Sequence, residues 1–244
     1  MSPARPNDPG GWRAPDRRKV RRVLQLLDER LGPLDPPRRS EPLEELVFTV
    51  LSQNTSDVNS GRAYAALRQR FPDWEDVVAA PTRYVADAIR PGGLADTKAP
   101  RIQAILEEIR RRQGDLDLSW MGRAPDGEVR GYLTSLPGVG PKTAACVLAF
   151  SLDRPALPVD THVFRVAGRL GWLPPRATAA GAHGVLESVV PAPMRVAMHV
   201  GLIRLGREIC RPGRPRCEVC PLRRLCPTAP LVLGRGTGRT VRSG

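Results

Sequence analysis

A lysine placed directly behind a glycine-rich turn is where residue type and spacing in this chain first suggest covalent chemistry. The turn reads Leu136-Pro137-Gly138-Val139-Gly140-Pro141-Lys142-Thr143. Its glycines let the backbone bend tightly and approach a ligand closely, and Pro141 suits the first position of a new helix. N–H groups from Gly138 through Val139 and Gly140 to Lys142 would then point outward at a positive helix end, an arrangement suited to one phosphate. Lys142 is one of three lysines, with Lys19 and Lys98. An amine attacks carbon only when neutral, and the dipole at a helix start disfavours the charged form. A phosphate ligand needs the opposite protonation state, so nucleophile and phosphate clamp are competing readings of Lys142. A plain helix-turn-helix corner is the third.

A carboxylate follows at a suggestive distance. If the second helix of the hairpin covers about 141–152, the linker Asp153–Val159 can extend about 23 Å, enough to return past a helix about 18 Å long. Asp160 can therefore lie near Lys142. It also precedes the periodic run that starts at Val163, where it would cap a helix. The two roles are compatible, because a capping carboxylate is held in one orientation.

The third constellation is Cys210, Cys217, Cys220 and Cys226, separated by six, two and five residues. Four thiolates in one short loop are poor spacing for a secreted disulfide framework and good spacing for a metal. Four sulfurs also satisfy tetrahedral zinc. Zinc loops of this size usually come as two close pairs, whereas here only Cys217-Glu218-Val219-Cys220 is close, which favours an iron–sulfur centre. Arg211, Arg214, Arg216, Arg223 and Arg224 stand among the ligands, so folding the loop presents cations to a phosphate backbone or forms an ordinary solvated face. Cys146 has no partner cysteine nearby and reads as a buried free thiol.

The elements that must position these groups are helical. Apolar residues recur at helical spacing in Val20, Val23, Leu24, Leu27 and Leu31, which predicts a first helix over about 16–31. The same period runs through Leu43, Leu46, Val47 and Val50; Tyr64, Leu67 and Phe71; Ile102, Ile105, Leu106 and Ile109; Val163, Val166, Ala167 and Leu170; and Ala197, Val200, Gly201 and Leu205. No segment alternates in the manner of a strand, and breakers such as Pro91-Gly92-Gly93 and Pro174-Pro175 separate the helices. The expectation is an all-α protein. No apolar run is long enough to span a bilayer and the N-terminus lacks the apolar centre of a secretory signal, so a soluble cytoplasmic protein without a membrane partner is expected. The net charge of +13 favours polyanions, nucleic acid first.

These pieces, in this order over roughly residues 41–226, resemble the helix-hairpin-helix DNA glycosylases, and specifically the endonuclease III family. The motifs carrying the resemblance are Leu136–Ala144, Val159-Asp160-Thr161-His162, the 18-residue interval from Lys142 to Asp160, and the cysteine spacing. The resemblance implies a six-helix barrel-like domain with the hairpin (41–156) and a helical iron–sulfur cluster domain (157–230) completed by an N-terminal helix (15–40). A flexible basic arm (1–14) and a flexible tail (231–244) would flank them. It implies a 4Fe-4S cluster on the four cysteines and, as partner, duplex DNA containing a damaged base or abasic site, bound by a monomer associated with the nucleoid. Lys142 would attack C1′ of a flipped-out oxidised pyrimidine nucleotide, leaving a Schiff base that permits β-elimination, and Asp160 would activate the nucleophile and stabilise charge on the sugar. Gln53 and Asn54 lie where the family places a residue that fills the gap left by the flipped nucleotide. The better alignment puts Asn54 where endonuclease III typically has Gln. Leu94 matches a wedge pressed into the base stack, and His162 is a further candidate for phosphate contact, with core packing or capping as its other reading. Pro141 occupies a position where relatives often carry a basic residue. Two rivals stand beside this reading: a monofunctional mismatch glycosylase removing adenine or thymine, which in its adenine-specific form lacks the lysine, and a non-catalytic metal-stabilised DNA-binding module.

Overall fold

The computed structural model describes residues 11–36 and 39–236, and within them the regular structure is helical, without a strand. The chain forms two compact units. One comprises Arg38–Arg154, and the other joins the described residues of Met1–Pro37 to those of Pro155–Gly244.

The middle unit holds α2 (Pro42–Leu51), α3 (Asp57–Arg70), the short α4 (Trp74–Ala79), α5 (Thr82–Ile89), α6 (Ala95–Gln113), α7 (Asp126–Thr134) and α8 (Pro141–Cys146). Its core is made by the residues whose periodicity marked the helices. Leu46 and Val50 of α2, Leu67 of α3, and Ile102, Ile105, Leu106 and Ile109 of α6 are completely or almost completely buried. Burying each such side chain contributes about 1.5–3 kcal/mol, which is what holds helices this short in place. α6 starts at Leu94, whose backbone is left-handed, and stops at Gly114 (φ 87°), which takes the same conformation without strain.

The second unit holds α1 (Arg17–Leu31), α9 (Thr161–Arg169), α10 (Ala179–Val189), α11 (Arg195–Glu208) and α12 (Ala229–Gly236). Asp16 caps α1 by accepting from the Lys19 N–H at 2.7 Å, and Gly32 (φ 76°) ends it. Val20, Val23 and Leu27 of α1 share one core with Val163 and Val166 of α9, Leu186 of α10, Leu202 and Leu205 of α11, and Trp172. α11 passes close to α1 at Gly201, where an added Cβ would sit 3.0 Å from a Leu27 methyl.

Three expectations change. The basic arm cannot extend to residue 14, because Trp12 donates its indole N–H to the Gly171 carbonyl at 3.1 Å and packs with Ala14 on the core; residues 1–10 lie outside the described residues. The tail does not begin at Leu231, since α12 runs to Gly236, and only 237–244 fall outside the described residues. The second hairpin helix is not one α-helix to residue 152. It changes at Val147 into a π-helical turn, Val147–Ser151, closed by Leu152 N–H on the Val147 carbonyl at 3.2 Å.

Candidate active site

In the middle unit the hairpin is anchored from below by apolar side chains. Leu133, Leu136 and Val139 are buried, and the Val139 N–H closes the turn on the Leu136 carbonyl at 3.2 Å. That N–H is therefore spent inside the turn, contrary to the expectation that it points outward. Gly138 is exposed with φ 71°, a conformation that costs other residues energy. It is also crowded: a Cβ at Gly138 would meet Cδ and Nε of Arg101 at 3.0 Å. Gly140 is extended and caps α8, with Pro141 at the first helical position.

Lys142 is the second residue of α8 and is half-buried. Thr143, Ala144, Ala145 and Cys146 behind it are all buried, so this helix sits deep in the unit from its third residue onward. α8 packs on α2, which places Glu45 within the electrostatic reach of Lys142. Glu45 is buried, accepting from the Thr49 hydroxyl at 3.0 Å and the Ser40 hydroxyl at 3.1 Å. Burial pushes its pKa up, opposed by those two hydroxyls and by the Lys142 charge. Burial likewise raises the Cys146 thiol, while nearby Lys142 acts to lower it. Lys142 therefore has a buried carboxyl and a buried thiol as neighbours.

Two loops of this unit carry the other sequence candidates, and both are strained where it matters. Asn54 (φ 54°) and Leu94 (φ 51°) are two of four non-glycine residues with left-handed backbone among the described residues. Such conformations cost about 1–3 kcal/mol and gather at ligand-handling sites. Asn54 is exposed, and Leu94 is 56% exposed. Gln53 differs from its neighbour: it is half-buried, and its side-chain oxygen accepts from Arg101 Nη1 at 2.9 Å.

Lys98 and Arg101, neither part of any motif, tie these loops together. Lys98 is 2% exposed and donates to the carbonyls of Leu51 at 2.7 Å and Gly92 at 3.0 Å, joining the loop that bears Asn54 to the loop that bears Leu94. Burial lowers its pKa. One turn on, Arg101 joins the Gln53 side chain to the hairpin at Gly138.

In the other unit Asp160 takes its capping role. Its carboxylate accepts from the Val163 N–H at 2.7 Å and starts α9. Two histidines hold the segment leading to it. The Val159 N–H donates to His183 Nε2 at 3.1 Å, and His199 Nδ1 donates to the Pro158 carbonyl at 2.7 Å. His162 is half-buried, 3.1 Å from Arg165 Nη2 and against Gly206, where a Cβ would come within 2.9 Å of it. That is a packing environment.

The cysteine loop is wired to the far end of the same helix. Arg169 donates to the Arg211 carbonyl at 2.8 Å and the Pro212 carbonyl at 2.6 Å, and its Nη1 lies 3.2 Å from Cys210 Sγ. The Arg169 carbonyl accepts from the Thr228 hydroxyl at 2.8 Å and the Cys226 thiol at 3.3 Å. Arg165 donates to the Cys210 carbonyl at 3.0 Å. Among the described residues no three of His, Cys, Asp and Glu stand close enough to hold a single metal ion. The four thiols nonetheless lie within one another's electrostatic reach. Burial raises Cys217 and takes Cys220 to about 11, and in both the other three cysteines or two of them add to the shift. A donor set of four thiols without carboxylate or imidazole suits soft thiolate-bound centres, iron–sulfur clusters among them. Arg211 and Arg214 are exposed, as are Arg216, Arg223 and Arg224.

A fold without a strand among the described residues, with a glycine hairpin between two helices, is that of a helix-hairpin-helix protein. Comparison with known proteins narrows this. Residues 47–191 match the HhH-GPD superfamily base excision DNA repair proteins, and the chain belongs to that family. It is 34% identical over 189 residues to the endonuclease III of Thermotoga maritima, covering 78% of this chain and 84% of the relative. The Bacillus subtilis endonuclease III is 35% identical over 187 residues, covering 77% and 81%. A solved endonuclease III caught as a covalent intermediate with DNA superposes with a TM-score of 0.77 at 27% identity, over 90% of this chain and 99% of that one. The chain is thus an endonuclease III-like helix-hairpin-helix DNA glycosylase, and DNA is its partner.

Proposed function

We propose that this protein is a bifunctional glycosylase and abasic-site lyase that removes oxidised pyrimidines from duplex DNA. The observation that carries the reading is Lys142 itself: an amine on the first turn of α8, immediately behind the hairpin and beside a buried carboxyl. The neutral amine attacks C1′, the bond from C1′ to the base breaks, and the base leaves with the bonding electrons and takes up a proton. Opening of the sugar leaves a Schiff base on Lys142. Loss of a C2′ proton then expels the 3′ phosphate, and hydrolysis returns the amine. Asp160, fixed as the cap of α9 and held by the His183 and His199 contacts on its approach, helps activate the amine and stabilises positive charge on the sugar.

The strained, exposed Asn54 and Leu94 support the roles of gap filler and wedge. Gly138 and Gly140 bring the hairpin backbone close to a phosphate. Arg211 and Arg214 add cations to the DNA surface, and His162 serves the packing around α9. Cys210, Cys217, Cys220 and Cys226 would hold a 4Fe-4S cluster, which when bound supplies a covalent brace for the arginine-bearing loop. The enzyme acts as a monomer on chromosomal DNA in the cytoplasm.

The test is a duplex carrying one oxidised thymine. Free base and a broken strand in equal amounts support the reading. Base release with an intact strand would make the protein a monofunctional glycosylase, and binding with neither product would reduce it to a binding module.

A further inference from the structure

Two adjacent amides, Gln53 and Asn54, occupy the loop after α2, which on the reading above supplies the residue that fills the space left by an extruded nucleotide. Their environments differ. Asn54 is exposed and left-handed, whereas Gln53 is half-buried with its oxygen accepting from Arg101 Nη1 at 2.9 Å. The Arg101 stem lies against the hairpin: a Cβ added at Gly138 would come within 3.0 Å of its Cδ and Nε. Arg101 is therefore packed against the turn at one point of its side chain and bonded to Gln53 at another. Its first helical turn is in turn fixed by Lys98, bonded to Leu51 just before the two amides.

We propose that Arg101 is a specificity-determining positioning residue. It ties Gln53 back onto the hairpin, so that Asn54 alone is presented to the base opposite the lesion. This rests on the DNA-processing reading above and adds to it the residue that decides which amide reads the orphaned base. The physical basis is a charge-assisted hydrogen bond, stronger than a neutral one and held in a fixed plane by the guanidinium. Arg101→Lys keeps the charge but lacks the guanidinium whose Nε lies by Gly138 while its Nη1 reaches Gln53, which separates positioning from simple attraction to DNA.

The experiment is binding of the full chain to four duplexes that carry a reduced abasic analogue opposite A, C, G or T, alongside intact duplex. Wild type, Arg101→Ala, Arg101→Lys, Gln53→Ala, Asn54→Ala and the Arg101→Ala/Gln53→Ala double variant are compared, each with its melting temperature. Asn54→Ala should flatten the spread of affinities across opposite bases. Arg101→Ala should change the rank or width of that spread, by roughly tenfold for the most affected base, as loss of a charged hydrogen bond implies. Gln53→Ala, which removes the competing amide, should restore the wild-type spread in the double variant. Arg101→Lys should keep the affinity and salt dependence for intact duplex yet show the altered spread. An unchanged spread in a folded Arg101→Ala, or full rescue by Arg101→Lys, overturns the proposal while leaving the enzyme reading intact. Equal binding of abasic and intact duplex by wild type would overturn the enzyme reading itself.

Discussion

Lys98 reaches from the first turn of α6 to the end of α2 and places its ammonium 2.7 Å from the carbonyl oxygen of Leu51. With its second bond to Gly92 at 3.0 Å, one buried side chain serves carbonyls beside the loop that bears Asn54 and in the loop that bears Leu94. Lys98→Met fills similar space but leaves both carbonyls without that donor. A cost of about 2 kcal/mol or more is expected, since each buried unsatisfied group costs about 1–3 kcal/mol. Denaturant unfolding measures it, and limited proteolysis should find the new cleavage in the loops around Gln53 and Gly93.

Leu94 sets stability against function. Its φ of 51° is paid by a side chain that is 56% exposed and adds little to the core. Leu94→Gly should therefore leave the protein as stable as wild type or stabler by about 1 kcal/mol, because glycine accepts the left-handed backbone without strain. On the proposed wedge role, the same variant should bind abasic duplex more weakly. Thermal melting and fluorescence anisotropy on one preparation read both effects, and loss of stability with unchanged binding would remove Leu94 from the site.

Glu45 makes stability depend on pH with a definite sign. Its folded pKa lies above the ordinary 4.5, chiefly because of burial. The folded state thus holds the proton more tightly than the unfolded chain, and stability falls as pH rises from about 4.5 through the raised value, then levels off. Glu45→Gln removes that loss. It should melt higher than wild type at about pH 7.5, with the difference shrinking as the pH is lowered toward the ordinary carboxylate range. A difference that grows on acidification would show that the carboxylate is stabilised rather than strained by its site.

The cysteine loop and Arg169 should fail together. Wild type is expected to carry iron and inorganic sulfide in equal amounts with broad visible absorption. Arg169→Ala loses the bonds to the Arg211 and Pro212 carbonyls, so it should surrender iron to a chelator faster. Arg214→Ala, at an exposed position, should retain iron and lose only DNA affinity. Stoichiometric zinc in a colourless protein would contradict the cluster.

The groups with motifs were legible because backbone rules bind their residue types. Gly138 takes a positive φ, Pro141 opens a helix and Asp160 caps one. The helices followed from apolar spacing, since a stripe such as Ile102, Ile105, Leu106 and Ile109 has no other way to be buried at once. Lys98 was hidden by its type: lysine is seldom buried, although it lies four residues before Ile102 on that same stripe, the one signal that could have marked it. Arg101 and Glu45 were illegible for a different reason. Arg101 bonds to a residue 48 positions away, and Glu45, though its hydroxyl partners Ser40 and Thr49 are local, comes near Lys142 only once α8 packs on α2. The turn to π-helix after Cys146 likewise leaves no trace in a sequence of ordinary helix-compatible residues.

On the proposed mechanism Lys142 forms a covalent bond with DNA. Borohydride added to the protein with a duplex bearing an oxidised thymine or an abasic site reduces a Schiff base to a stable link. A trapped protein–DNA adduct whose linked peptide contains Lys142 is expected, with no adduct from Lys142→Gln despite retained folding and binding. Wild-type protein that cuts abasic DNA yet never traps, or an adduct that persists in Lys142→Gln, would contradict it.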